Sequence, residues 1–461
     1  MKRTLFSVLI TCAVLLVAFA IRADHASDPL AAATGKIAAE ITGHGKAYAD
    51  LQELTALGHR LSGSDGAAKA VEWAKRKMES YGFDRVVLQP VMVPHWTRGD
   101  VEQATVTSAS HPISLKLTAL GNSVGTPKEG VEAGVVEVQG LDEVDRLGEA
   151  VRGKIVFYNR PMDPTVWNTF KAYGQAGDQR THGPSAAAKH GAVAVLVRSL
   201  TTLPDDSDPH TGMLRYDKGV AKIPAAALST RSANELSAML KADRKLTVNL
   251  KLSAAENPLV PSFNVIGELK GRELPQEYVL VGGHLDSWDL ATGAQDDGAG
   301  VVQSIEVLRA LKALNLCPRR SVRAVLFMAE EFGSFGAKEY ASQVKAKGEK
   351  HVAAIESDRG GFAPVGFEVE GSDETVAAVK RFAPYLTPLH AGSIEKGGSG
   401  ADVAALGKLG AVAIGFVPVS THYFDFHHSA RDRIEAVNKD ELHAGAAAMA
   451  ALAYLLAENG Q

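Results

Sequence analysis

The chain contains very little cysteine. Its 461 residues include only two, Cys12 and Cys317, and the first lies in an apolar N-terminal segment. Removal of that segment would leave a single cysteine, which excludes an intramolecular disulfide. The folded protein must therefore be stabilised by a hydrophobic core. A chain of this length can build a large one and is expected to form two domains.

The chain also lacks an excess of basic residues and is poor in aromatic ones. Aromatic residues make up 6% of the chain, and 49 Lys and Arg residues are offset by 53 Asp and Glu residues, which gives a formal net charge of −4. This balance gives no sign of the basic surface that nucleic-acid binding requires. Internal repeats, heptads and long low-complexity segments are absent from the sequence. Its apolar content of 46% is ordinary for a soluble globular protein.

A leader-like segment opens the chain. Two basic residues precede an apolar run, and the run contains the small-x-small site Ala18-Phe19-Ala20. This pattern predicts a signal peptide over residues 1–20 and a secreted or periplasmic protein with no stable membrane span after cleavage. An uncleaved membrane anchor is the alternative, although the run is short for a membrane span.

Polar side chains follow four apolar segments that have the character of buried strands. The segments and the polar residues after them are 278–281 with His284 and Asp286, 321–328 with Glu330 and Glu331, 352–355 with Glu356 and Asp358, and 411–416 with His427 and His428. In open α/β sheets, ligands bind just beyond the carboxyl ends of the strands. Histidine and carboxylate without thiolate suit zinc, or a pair of metals that share a carboxylate. The sequence therefore predicts a metal site.

These motifs resemble those of the co-catalytic dizinc exopeptidases, a family whose founders are bacterial aminopeptidases. The shared motifs are GGHLDSWD, QDDG, AEE, ESD and HHSARD, in that order. The resemblance implies an α/β/α sandwich with a mixed, mostly parallel sheet and two Zn²⁺ per chain. It also implies a role for each site residue: His284 and Asp358 bind one metal, Glu331 and His428 bind the other, Asp296 bridges them, Glu330 is the catalytic base, and Asp286 orients His284.

Two pairs of adjacent residues compete for these roles. Side chains of neighbouring residues at a strand end diverge, so one of Glu330 and Glu331 can bind metal while the other faces water. The same reasoning allows only one of His427 and His428 to reach the metal. The family pattern His-Ser/Thr-x-x-Asp selects His428, and His427 is then expected to line the pocket. The resemblance further implies a cis peptide bond after Asp296.

Substrate residues are harder to identify. His427, Tyr423 and Ser399 are the candidates. The loop that contains Ser399 departs from the Ser-Asp-His form of many aminopeptidases and resembles a carboxypeptidase branch of the family, although its glycines also allow a purely structural turn. Glu356 is either a supporting residue of the site or a structural one, and the sequence does not decide between them.

The predicted domain boundaries follow changes in composition. They are a signal peptide at 1–20, a first catalytic part at 24–116, an insert at 117–255 and a second catalytic part at 256–461. The insert resembles a protease-associated domain, and its acidic loop at 205–210 is predicted to be solvated and not to bind metal. Residues 256–263, which include two prolines, are predicted to be the return linker. The alternation of strands and helices beyond residue 263 predicts a doubly wound α/β domain.

Together these features predict an exported dizinc exopeptidase with Glu330 as general base. The expected substrates are short peptides or dipeptides with free termini. Carboxypeptidase or dipeptidase action is expected, and aminopeptidase action stays open. A single-zinc glutaminyl cyclase and an inactive binding module on the same fold are the alternatives. The resemblance also implies a homodimer.

Overall fold

Two eight-stranded sheets organise the part of the chain that the computed structural model describes, residues 28–107 and 112–459. The predicted signal peptide lies outside these residues. The strands, in chain order, are β1 Arg85–Thr97, β2 Glu102–Val106, β3 Ile113–Leu115, β4 Leu117–Ala119, β5 Val131–Val138, β6 Ile155–Tyr158, β7 Ala194–Arg198, β8 Ala225–Leu228, β9 Thr247–Leu252, β10 Ala255–Leu269, β11 Leu274–His284, β12 Arg320–Phe327, β13 Lys350–Glu356, β14 Pro364–Glu370, β15 Ser393–Lys396 and β16 Val412–Pro418.

Helices cover both sheets. In chain order they are α1 Pro29–His44, α2 Ala47–Thr55, α3 Asp65–Ser80, α4 Leu141–Leu147, α5 Thr169–Ala176, α6 Asp178–Thr181, α7 Gly183–Lys189, α8 Thr230–Ala242, α9 Ala299–Ala313, α10 Phe335–Lys347, α11 Asp373–Lys380, α12 Ala383–Leu386, α13 Ala404–Gly407, α14 Tyr423–Phe426 and α15 Lys439–Asn459. None of the helices in the described residues is both long and apolar enough to cross a membrane.

The first sheet is mixed, as the family resemblance implies. Its strand order is β1-β10-β12-β11-β13-β16-β14-β15. The four central strands, β12, β11, β13 and β16, run parallel, and antiparallel strands join them on each side. Every residue of β12 is buried, which is expected of a strand covered on both faces. The carboxyl ends of four adjacent strands therefore meet at one edge.

Helices pack on both faces of this sheet and complete an α/β/α sandwich. One face carries α1, α2, α3, α9 and α15, and the other carries α10 and α13. The alanine-rich α15 is buried along most of its length, because small side chains let it lie close to the sheet and to its neighbours. The sequence predicts this helix over residues 442–455, and its packing is confirmed.

The second sheet forms an inserted module with the strand order β3-β2-β9-β5-β6-β7-β8-β4. The chain leaves the catalytic sheet at Thr97 and returns at Ala255, and these two residues are paired partners in β1 and β10. The insert therefore begins before β2, and the predicted boundary at residue 117 is wrong. Composition alone places the boundary too late, because a change of sheet leaves no mark in the composition of β2 and β3.

The predicted return linker at 256–263 is in fact part of β10. Its two prolines, Pro258 and Pro261, lie in the half of the strand that pairs with β1 alone, since pairing with β12 starts at Val265. Proline is tolerated in a strand where a backbone N–H has no partner to bind. Proline content therefore suggested a linker where the structure has a strand with one free edge.

Candidate metal centre

The strand ends bring the predicted ligands together. At the end of β11, Nε2 of His284 lies 3.1 Å from Oδ1 of Asp296 and 3.5 Å from Oδ1 of Asp358, which follows β13. These three buried or half-buried side chains could hold one metal ion. Their convergence follows from the parallel arrangement of β11 and β13.

A second group lies on the other side of Asp296. Nε2 of His428 is 3.2 Å from Oδ2 of Asp296 and 3.2 Å from Oε2 of Glu331. Asp296 therefore presents one oxygen to each histidine, which is the arrangement that a carboxylate bridging two metals requires.

Buried polar atoms test whether a metal fits this arrangement. Oδ2 of Asp296 and Oε1 of Glu331 are buried and have no hydrogen-bond partner among the described residues. A buried polar atom without a partner is costly, and a bound cation would satisfy both. Two histidines and three carboxylates without sulfur form a donor set suited to zinc. These residues therefore fit a bound zinc ion.

Burial and neighbouring charges shift the pKa values of the site's carboxylates. Burial favours the neutral form of Asp296, but the neighbouring imidazoles of His284 and His428 outweigh it and hold the pKa of Asp296 well below its ordinary value. Burial raises the pKa of Glu331, and burial raises the pKa of Glu330 well above the ordinary value of a glutamate.

Glu330 and Glu331 diverge as the sequence predicts. Glu331 is buried and contacts His428. The carboxylate of Glu330 makes no hydrogen bond with any described side chain or backbone group, and it faces the cavity beside the metal centre. The two chemically identical residues therefore occupy different environments.

Asp286 connects two strand ends. Its Oδ1 and Oδ2 accept backbone hydrogen bonds from Glu330 at 3.1 Å and from Glu331 at 3.3 Å. Its backbone oxygen lies 3.1 Å from Nδ1 of His284, and its Oδ1 lies 3.6 Å from that nitrogen. Asp286 thus contacts His284, the residue that it is predicted to orient, and it also fixes the turn that carries both glutamates.

The turn that carries Asp296 is held from several directions. The peptide bond between Asp296 and Asp297 is cis, as the resemblance implies. Asp297 accepts hydrogen bonds from the backbone N–H groups of His284 at 2.9 Å and Gly300 at 3.0 Å. Asp432 accepts the backbone N–H of Asp296 at 3.1 Å, and burial raises the pKa of Asp432 to about 7.

Sequence reasoning missed the contribution of Arg60. This arginine is fully buried and donates to the backbone oxygens of Leu285 at 2.6 Å, Thr292, and Gly293 at 3.0 Å. It holds the loop between β11 and Asp296 and places a positive charge near the carboxylates of the site. The sequence places this arginine in the turn Arg60-Leu61-Ser62-Gly63-Ser64, but nothing in that turn indicates that the side chain is buried.

His427 and His428 do not point in opposite directions. Their rings stack with centroids 3.5 Å apart and an angle of 17° between the planes. His428 has φ of +60°, so the strand-like alternation assumed for this pair does not apply. Nε2 of His427 lies 3.8 Å from Oδ2 of Asp296, farther than that of His428. Both histidines line the cavity, but of the two His428 is the one that also contacts Glu331.

The acidic loop at 205–210 is solvated only in part, since Asp205 and Ser207 are exposed. Asp206 and His210 are buried, and Nδ1 of His210 donates to the backbone oxygen of His427 at 2.7 Å. Asp206 accepts a hydrogen bond from Arg431 at 2.5 Å. The prediction of a solvated loop holds for Asp205 and is wrong for Asp206 and His210, because these two contact the loop that carries the two histidines.

The insert also contacts the predicted ligand directly. Nδ1 of His428 lies 3.3 Å from the backbone oxygen of Thr211, and the N–H of Thr211 donates to the backbone oxygen of His428 at 2.9 Å. Donation through Nδ1 leaves Nε2 free to bind a metal. We call the contacts of residues 206–211 with residues 427–431 the insert clamp.

A cavity of about 600 Å³ opens beside the metal centre and is lined by both modules. Tyr423 and His427 line it, as expected of substrate residues. Ser399 does not, because its hydroxyl is buried and donates to Glu370 at 2.6 Å. Glu356 is buried and accepts the N–H groups of Asp402 and Val403, each at 2.8 Å. Glu356 thus holds this loop in place.

Comparisons with known proteins show which family the chain resembles. Residues 264–453 match the model of peptidase family M28. Carboxypeptidase Q of Bos taurus is 36% identical over 423 residues, covering 91% of this chain and 87% of its own. The crystal structure of a peptidase M28 precursor from Shewanella amazonensis is 35% identical, covers 94% of this chain and 97% of its own, and superposes with a TM-score of 0.89.

A zinc aminopeptidase from Bacillus subtilis shares the fold at 21% identity, with a TM-score of 0.65 over 89% of this chain and 95% of its own.

Proposed function

The chain belongs to peptidase family M28, and from this premise we propose that it is an exported exopeptidase that uses two zinc ions and Glu330 to hydrolyse short peptides. The observation that carries the proposal is Asp296, whose two carboxylate oxygens face two separate histidines at 3.1 and 3.2 Å. His284 and Asp358 would hold one zinc ion, Glu331 and His428 the other, and Asp296 both.

Zinc bound there would supply the positive charge that polarises a scissile carbonyl and acidifies water. Glu330 is the one carboxylate of the site without a partner among the described residues, and it faces the cavity. It would take the proton of the attacking water and pass it to the leaving amine. Burial raises the pKa of Glu330 above that of an ordinary glutamate, which makes its carboxylate a stronger base.

Other residues would position these groups. Asp286 would hold the turn of Glu330 and the ring of His284 in a fixed relation, through the contacts at 3.1 and 3.6 Å. We assign the same kind of supporting role to Arg60 and Asp432, which fix the loop and turn leading to Asp296. Held in this way, the reacting groups need little reorganisation during the reaction.

The two alternative functions fit the site less well. A single-zinc glutaminyl cyclase needs one metal set, whereas donors lie on both sides of Asp296. An inactive binding module would not need a cavity-facing glutamate beside a complete donor set. We further propose that the insert is a protease-associated domain and that the protein is a homodimer after removal of residues 1–20. Intact-mass measurement of the exported protein tests the removal of residues 1–20, and sedimentation tests the homodimer.

The function is tested with a dipeptide. Purified, zinc-loaded protein should hydrolyse alanyl-phenylalanine, a chelator should abolish the hydrolysis, and added zinc should restore it. Metal analysis should give two zinc ions per chain. Hydrolysis that persists after complete removal of metal would overturn the proposal, and one zinc ion per chain in fully active protein would favour the single-metal alternative.

A further inference from the structure

The cavity beside the metal centre carries unpaired positive charge. Four cationic side chains line it, and none forms an ion pair with a described residue: Arg180, Arg215, Lys338 and Lys408. Elsewhere in the described residues many charged side chains are in ion pairs, such as the buried Arg309 with Glu306 at 2.7 Å. Cations left unpaired around one cavity indicate that an anionic group of the ligand binds there.

Two of these cations lie at one place. The Nη2 atom of Arg215 and the Nζ atom of Lys338 lie 3.9 and 4.0 Å from the position that a Cβ on Gly333 would take. Lys338 donates one hydrogen bond to the backbone oxygen of Gly333 at 2.6 Å, and its other donors are free among the described residues. Arg215 comes from the insert and Lys338 from α10. They meet next to the turn that carries Glu330.

The acidic residues that line the cavity all have a role in the proposed function. The acidic side chains among its lining residues are Asp296, Glu330, Glu331 and Asp358. The proposed function uses all four, three as metal ligands and one as base. Within the described lining, no further carboxylate is available to bind the ammonium group of a peptide N-terminus, whereas guanidinium and ammonium groups are available for a carboxylate.

We propose that Arg215 of the insert and Lys338 of the catalytic domain form a subsite that binds the free carboxylate of the substrate. This inference rests on the proposed function and deepens it. The paired cations would fix the C-terminal residue of a short peptide while its last peptide bond lies over Glu330. Specificity for a free C-terminus would then depend on the insert as well as on the catalytic sheet.

The experiment compares alanyl-phenylalanine with its C-terminal amide, since both keep the free N-terminus and differ only in the carboxylate. Wild type should cleave the acid with a kcat/KM roughly 10- to 100-fold above that for the amide, which is the size expected for charge-assisted hydrogen bonds. Arg215→Gln and Lys338→Gln should each lower kcat/KM for the acid by roughly 10-fold or more and leave the amide unchanged. Arg244→Gln, an exposed insert arginine outside the cavity, is the matched control and should change neither.

The outcomes separate this inference from the proposed function. Equal cleavage of acid and amide by wild type, or equal loss on both substrates in Arg215→Gln and Lys338→Gln, would overturn the carboxylate subsite while leaving the exopeptidase intact. Failure of zinc-loaded wild type to cleave either substrate would overturn the proposed function itself.

Discussion

Substitution of His210 by alanine tests whether the insert clamp supports the metal centre. His210 lies in the insert and contacts no predicted metal ligand side chain, but its Nδ1 donates to the backbone oxygen of His427 at 2.7 Å in a buried environment. The next residue, Thr211, holds both the Nδ1 atom and the backbone oxygen of His428. Loss of the His210 side chain should therefore loosen the loop next to His428.

The structure sets the size of the effect. The substitution removes the hydrogen bond to His427 and the 3.5 Å contact of Nε2 with Asp206, and it leaves the oxygen of His427 unsatisfied, which should cost about 1–3 kcal/mol of stability. Partners that orient a metal-bound histidine typically contribute about 10- to 100-fold to metal affinity. The group formed by Asp296, Glu331 and His428 should lose affinity by that factor, whereas the group that contains His284 should not.

The assay follows zinc per chain as the free zinc concentration is lowered with a chelator. Wild type should release its two ions in overlapping steps, and His210→Ala should release one of them at a clearly higher free zinc concentration. His190→Ala is the control, because His190 is another insert histidine paired with an aspartate, Asp145 at 3.0 Å, but outside the clamp. A release curve identical to that of wild type, or an equal shift of both ions, would refute the reasoning.

Three further predictions concern single residues. Glu330→Gln should lower kcat by at least about 10³-fold with zinc content unchanged, and Glu331→Gln should lose zinc; the opposite pattern in activity assays and metal analysis would mean that the two roles are exchanged. His428→Ala should lower zinc content, and His427→Ala should keep it and mainly raise KM; zinc loss only in the second variant would contradict the assignment. Burial lowers the pKa of His351 in the folded protein from 6.5 to about 4. As the pH falls, the unfolded chain therefore binds a proton at His351 before the folded protein does. The folded state loses stability between pH 6.5 and pH 4 for this reason. Denaturant unfolding should show a loss of about 2 kcal/mol between pH 7.5 and 5 in wild type that is missing in His351→Gln, and equal losses in both proteins would show that another group is responsible.

The features that the sequence predicted best are those that depend only on which strands run parallel. Four apolar segments followed by polar residues became four adjacent parallel strands, and His284 and Asp358 meet because the carboxyl ends of β11 and β13 lie side by side. The order of motifs was sufficient for this result, since parallel strands place their ends at the same edge whatever lies between them.

Features that depend on contacts between distant segments were not predictable. The direction of the His428 ring depends on a positive φ and on the backbone of Thr211, more than 200 residues earlier. The burial of Asp206 depends on Arg431 in the same way. A charged loop that is solvated and one that is buried against an oppositely charged partner have the same local sequence, and only the fold distinguishes them.

The insert clamp also has a consequence for the order in which the site can be assembled. The insert ends at Leu252, before the first predicted ligand at residue 284, and its last strand, β9, pairs with strands that precede it in the chain. Because a polypeptide is synthesised from its N-terminus and domains tend to fold as units, the surface formed by residues 206–211 can be complete before His428 has been made. His428, the last predicted ligand to be synthesised, could then pack against the folded surface of residues 206–211 as soon as it leaves the ribosome.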